Sequence, residues 1–131
     1  MKDNLRRISF LLLLVLSLSA CADKPDKLWV SKKVVKLGEI TRDPQGQSFT
    51  LELKNKSKKD LYISDIRTSC TCVYAKSSRV LLRKGDKATL TVEMKTANKR
   101  YGDFEEKVGI YTRNNDTPTY IKIVGTMKKD E

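Results

Sequence analysis

Two hydrophobic patterns divide the chain. Ile8 to Leu16 form an almost unbroken apolar run interrupted by Ser9. From Leu28 onward, short segments alternate apolar and polar residues with a period near two, separated by clusters of Gly, Asn, Asp and Lys. A period of two puts successive side chains on opposite faces of an extended backbone, so this second region is predicted to form half-buried strands.

A strand or strand pair is predicted over Leu28 to Ile40, with Gly38 as a bend or bulge. Gln47 to Lys54 follows, with Phe49, Leu51 and Leu53 on one face, and ends in the polar turn Asn55–Lys59. In Asp60 to Thr68 the apolar spacing of Leu61, Ile63 and Ile66 changes from two to three, which predicts a bulge near Ser64 or Asp65. Cys70 to Tyr74 reads as a further extended segment. After the turn Arg83–Asp86, Lys87 to Lys95 alternates most cleanly, through Leu90, Val92 and Met94. Phe104 to Thr112 and Thr119 to Met127 complete the set, joined by a loop over Asn114–Pro118. About seven short strands without a helical pattern predict an all-β, antiparallel sandwich. The tyrosines and Trp29 are expected in its core or in cross-strand pairs.

The first apolar run reads differently. Lys2, Arg6 and Arg7 precede it, and it is shorter than the roughly 20 residues needed to span a bilayer, so residues 1–20 are expected to be a cleaved export signal. Leu18-Ser19-Ala20-Cys21 resembles the lipobox of bacterial lipoproteins. That resemblance implies a lipid on Cys21, a membrane-attached mature protein and, because Ala22 and not Asp follows the cysteine, outer-membrane placement. Residues 21–27 contain Pro25 and charged residues and are expected to be a tether reaching only about 23 Å. Residues 28–131 remain for one small domain.

Charge and composition narrow the function. The chain has 27 Lys and Arg against 16 Asp and Glu. For a tethered protein this favours lipid headgroups, acidic glycans or acidic protein surfaces over nucleic acid. It has no histidine, which excludes Ser-His-Asp and Cys-His hydrolases and removes the commonest zinc ligand. No phosphate loop or nucleophile elbow occurs, and Asp103, Glu105 and Glu106 read as the polar beginning of a strand. A non-enzymatic role is expected.

The run Asn55, Leu61 and Ile63, Ser69-Cys70-Thr71-Cys72, Gly85, Gly102 with Phe104, Thr112 with Asn114, and Gly125 resembles the bacterial domain-of-unknown-function family 1573. Leu37-Gly38-Glu39-Ile40 resembles its upstream element. Members are commonly exported lipoproteins, and the resemblance implies an immunoglobulin-like sandwich similar to ASH, MSP and HYDIN-type interaction domains. Thr71 replaces the family's glycine between the cysteines, and Lys84 replaces its proline.

Cys70 and Cys72 are the residues able to carry chemistry. On a flat strand their Cα atoms would lie about 6.6 Å apart, too far for a disulfide. A turn at Thr71 would allow one, although β-branched Thr71 disfavours positive φ. Three readings stand: thiols packed as small apolar groups, an exchangeable disulfide, or a Cu(I) site with Met94 or Met127 as a thioether ligand. Lys54, Lys56, Lys58 and Lys59 could meet an anionic surface, or could simply guard strand edges from aggregation. The expected function is a lipid-anchored envelope module that binds another envelope protein. The alternatives are thiol-redox or Cu(I) handling, and surface adhesion or glycan binding.

Overall fold

The computed structural model describes residues 28–113 and 115–129. The signal, Cys21, the tether and Asn114 lie outside the described residues. Nine strands follow in order: β1 (Leu28–Val30), β2 (Val34–Ile40), β3 (Gln47–Asn55), β4 (Leu61–Thr68), β5 (Val73–Ser77), β6 (Leu81–Leu82), β7 (Lys87–Met94), β8 (Gly102–Thr112) and β9 (Asn115–Met127). They form two sheets, β1-β3-β7-β5 and β2-β9-β8-β4-β6.

The alternating positions face each other between the sheets. Leu53, Leu90 and Val92 of the first sheet and Val108, Ile121 and Ile123 of the second are wholly buried. Removing such apolar surface from water drives the two sheets together. Gly38 lies at a register shift in β2 with φ +67°, and β4 shifts register between Ile63 and Asp65, as the spacing of their apolar residues predicts.

The structure corrects four expectations. The strand count rises to nine because Leu28–Ile40 divides between the two sheets and β6 forms in a stretch with no clear pattern. The sandwich is not wholly antiparallel, since edge strand β2 runs parallel to β9. Almost the entire domain separates these two strands, so no hairpin forces them to run in opposite directions. Of the predicted loop Asn114–Pro118, the described residues Asn115–Pro118 are the start of β9. Pro118 is tolerated there because it lies beyond the reach of β2 and beside the register shift at Ile110, where a ladder donor is dispensable. Finally, Tyr62, Tyr74, Tyr101 and Tyr120 are exposed. Several aromatic rings instead stack with cations, as Arg113 does over Tyr62 at 3.9 Å and Arg67 over Tyr111 at 4.7 Å. Tyr120 stands opposite Gly109 and lays its ring over it, a cross-strand arrangement.

One buried polar side chain organises an end of the sandwich. Asn55 is 1% exposed, and its Nδ2 donates to the carbonyls of Lys59 at 2.7 Å and Leu82 at 2.8 Å. Its Oδ1 accepts from the N–H and the hydroxyl of Ser57 at 2.9 and 2.7 Å. Its backbone bonds Asp86 and Gly85 at 3.0 Å each. A single amide therefore shapes the lysine turn and ties it to β6 and to the turn before β7. Asn55→Ala leaves these buried groups unpaired, and a loss of about 2 to 3 kcal/mol is expected in urea unfolding. An unchanged unfolding midpoint would contradict this role.

Candidate functional site

At the opposite end, the chain leaves β4 at Thr68, turns through Ser69–Cys72 and enters β5 at Val73. The predicted extended segment from Cys70 is thus a turn. The N–H of Val73 donates to the carbonyl of Cys70 at 3.1 Å, and Thr68 Oγ1 donates to the carbonyls of Cys70 and Val73 at 2.9 and 3.1 Å. This draws the two cysteine Cα atoms to 5.1 Å, and their sulfurs are joined in a disulfide. Thr71 fits because the turn is made at negative φ: among the described residues only glycines have positive φ. The β-branched side chain is exposed and is no obstacle.

The loop between β7 and β8 supplies Lys99, and β8 itself supplies Glu106, to form a charged pair beside the disulfide. Lys99 Nζ donates to Glu106 Oε1 at 2.8 Å, lies 3.9 Å from Cys72 Sγ, and sits 4.5 Å from the centre of the Phe104 ring. Both side chains are largely removed from water, with 9% and 14% exposed. Ser69 Oγ donates to the other carboxylate oxygen of Glu106 at 2.7 Å and accepts from the N–H of Lys107 at 2.8 Å. Cys70 Sγ accepts from the N–H of Cys72 at 3.0 Å. Each sulfur therefore has one donor: a backbone amide for Cys70, an ammonium for Cys72.

The loop carrying Lys99 is pinned independently. Arg42 donates from Nε and Nη2 to the Lys99 carbonyl at 3.2 and 3.0 Å, and its guanidinium stacks over Tyr101 at 4.1 Å. Buried Thr96 accepts from the N–H of Asp43 at 3.0 Å and donates to its carbonyl at 3.2 Å. Gly46, at φ +71°, closes against the Met94 carbonyl, where any Cβ would collide with the backbone. These contacts border an open groove of about 1120 Å³ lined by Pro44, Thr71, Cys72, Lys99, Tyr101 and Phe104, among others.

Cys70, Cys72 and Glu106 place one ligand-type atom each within 4.8 Å of one another, the spacing of a metal site. The chemistry does not suit a cation here. Disulfide sulfurs are not thiolates, and the Lys99 ammonium is already bound to the carboxylate. Met94 lines the same groove with only 1% of its surface exposed, and Met127 lies in the core on β9.

The sequence pattern does not single out Lys99 and presents Glu106, with Asp103 and Glu105, as the polar beginning of a strand. The signal for Glu106 was present in its phase. It lies two residues before buried Val108 and two after half-buried Phe104, on the inward side of β8. Lys99 lies in an irregular loop with no periodicity to reveal its direction.

The four predicted lysines lie at the other end. Lys54 is half-buried and Lys56, Lys58 and Lys59 are exposed, with Lys56 Nζ 4.6 Å from the centre of the Trp29 ring. Leu28 pairs with Asn55, so the chain enters the domain beside this lysine turn. β3 runs from Gln47, level with Met94 near the disulfide, to Asn55. Its nine residues separate the two ends by about 27 Å.

Two facing sheets form an immunoglobulin-like β-sandwich, a fold shared with PapD-like and ASH domains. The chain belongs to the family described as a protein of unknown function, DUF1573, whose model matches residues 28–127. Its fold is similar to a protein of unknown function from Porphyromonas gingivalis W83, with TM-score 0.66 and 12% identity over 77% of this chain and 46% of that one. The chain thus spans less than half the length of that protein. It is also similar to the ASH/PapD-like domain 7 of human CEP192, with TM-score 0.54 and 14% identity over 86% and 93% of the two chains. A third likeness is to the periplasmic chaperone SfaE, with TM-score 0.55 and 12% identity over 79% and 59%. No curated protein matches the sequence.

The charged pair makes stability depend on pH. Burial pushes the Glu106 carboxyl up, but the Lys99 and Ser69 hydrogen bonds and the charge of Lys99 together hold it below the ordinary value. A depressed native pKa adds stability above the ordinary glutamate value of about 4.3, and this is lost as pH falls through the native value. Melting temperatures below about pH 4.3 should fall more steeply in the wild type than in Glu106→Gln. Parallel acid limbs in the two proteins would contradict this coupling.

Proposed function

We propose that this protein is a lipid-anchored module of the cell envelope that binds another envelope protein without catalysing a reaction. The observation that carries the binding reading is the free edge of β5. Among the described residues this strand has a single neighbour, β7. Cys72 and Ser78 bond β7 through Lys95 and Thr89 at 2.8 Å each, so the alternating residues Ala75 and Ser77 turn their N–H and C=O groups away from β7. Such a row of backbone groups accepts an added strand, with side-chain pockets supplying selectivity. β5 begins directly after the disulfide turn, and exposed Tyr74 lies on it. The likeness to ASH and PapD-like domains agrees with an interaction role.

The anchor places this edge. A lipid on Cys21, joined through residues 22–27 to Leu28, would enter the domain beside Lys56, Lys58 and Lys59. Each lysine near an anionic surface adds about 1 kcal/mol of attraction. The lysine end would then face the membrane, the outer membrane in this reading, and the disulfide end would point away from it.

Two experiments test the two halves. Cys21→Ser is expected to abolish palmitate incorporation and release the protein from membranes, and retained label would overturn the anchor. A photo-crosslinker at Tyr74 in intact cells is expected to capture a discrete partner that is lost when Ala75→Pro removes the outward N–H. The same crosslinker at Tyr120 should not capture it. An adduct at Tyr74 that survives Ala75→Pro would refute strand addition at β5.

A further inference from the structure

We propose that the Cys70–Cys72 disulfide is an exchange site that accepts two electrons from a pair of cysteine thiols on a protein. Strand addition at β5 is not required for this, so the two proposals can fail separately. Three observations support it. The disulfide links residues two apart and therefore closes almost no chain, so it constrains the unfolded state far less than a long loop would. It is half-buried and lines an open groove. A half-buried ammonium, Lys99, is held 3.9 Å from one of its sulfurs.

That asymmetry assigns roles to the sulfurs. An incoming thiolate attacks Cys70 Sγ, forming a new S–S bond as the Cys70–Cys72 bond breaks. The electron pair leaves on Cys72 Sγ, where the Lys99 ammonium stabilises the thiolate, and a leaving thiol with a lowered pKa departs faster. The partner's second thiolate then attacks its own first sulfur in the mixed disulfide and releases Cys70 as a thiolate. The partner dithiol loses two electrons and two protons to become a disulfide, and the pair here gains them as two thiols. Glu106 opposes the step, because its carboxylate competes for Lys99 and repels an incoming anion.

The opposed charges give the test its sign. The oxidised full chain is mixed with a two-cysteine peptide in reduced form, and the loss of its disulfide is followed after acid quenching. Glutathione serves as the single-thiol comparison. Lys99→Met should slow exchange by about tenfold, Lys99→Arg should stay near the wild-type rate, and Glu106→Gln should accelerate it several-fold. A quenched mixed disulfide should map to Cys70, and glutathione should stall at that stage. Circular dichroism identifies variants that remain folded. If Lys99→Met does not fold, Lys99→Gln takes its place, and the slowing expected of it against the acceleration expected of Glu106→Gln still decides the question. A disulfide that merely packs predicts that both charge variants shift exchange in the same direction, by loosening the turn, or leave it unchanged. Either result overturns the proposal, as does a wild-type disulfide that resists millimolar peptide while the protein stays folded.

Discussion

The packing of Leu53, Leu90 and Val92 against Val108, Ile121 and Ile123 fixes the position of every loop in this protein. These side chains exclude water completely, and each contributes about 1.5 to 3 kcal/mol on burial. Because their register is set by the alternation of each strand, the strand ends are set as well. One end of the sandwich receives the chain at Leu28 and carries the lysine turn. The other carries the disulfide, the Lys99–Glu106 pair and the beginning of β5. The proposed orientation follows from this polarity: the end where Leu28 enters the domain and the end that carries the disulfide are held a full strand length apart.

The disulfide end is unusual in charge. Lys99 and Glu106 are nearly removed from water, and desolvating an ion pair offsets most of its Coulomb attraction. Such a pair adds little to stability compared with apolar residues of the same shape, while losing one partner leaves a buried charge exposed to an apolar wall. Here the aromatic face of Phe104, the hydroxyl of Ser69 and the Arg42 clamp on the Lys99 carbonyl supply the remaining interactions. Glu106, Phe104 and the Arg42 clamp thus hold an ammonium 3.9 Å from Cys72 Sγ, and Ser69 fixes the Glu106 carboxylate.

Much of the scaffold is legible in the sequence because it rests on local alternation. The bulge in β4 shows in the change of spacing between Ile63 and Ile66, and the Gly38 irregularity shows in the one residue of β2 able to take positive φ without strain. Features that depend on distant contacts are not legible in this way. The parallel pairing of β2 with β9 joins segments from opposite ends of the domain. The two-residue strand β6 is too short to show a period and exists because Leu61 and Tyr62 offer it an edge. At the candidate site, the cysteine pair is visible as a motif, but the turn that closes it depends on hydrogen bonds from Thr68. The charge beside it comes from a loop about 27 residues further on, pinned by Arg42 from the far side of the sequence.

In the proposed orientation the lysine end faces the membrane. Trp29, the chain's single tryptophan, lies at that end against Lys56 and is a built-in probe. Its fluorescence can be measured in the lipidated protein bound to anionic vesicles whose headgroups carry a nitroxide quencher. Strong quenching of Trp29, reversed when the protein is released into detergent without the quencher, is the result predicted. Unquenched Trp29 in protein that remains vesicle-bound would mean that the lysine end points away from the lipid and would contradict the account.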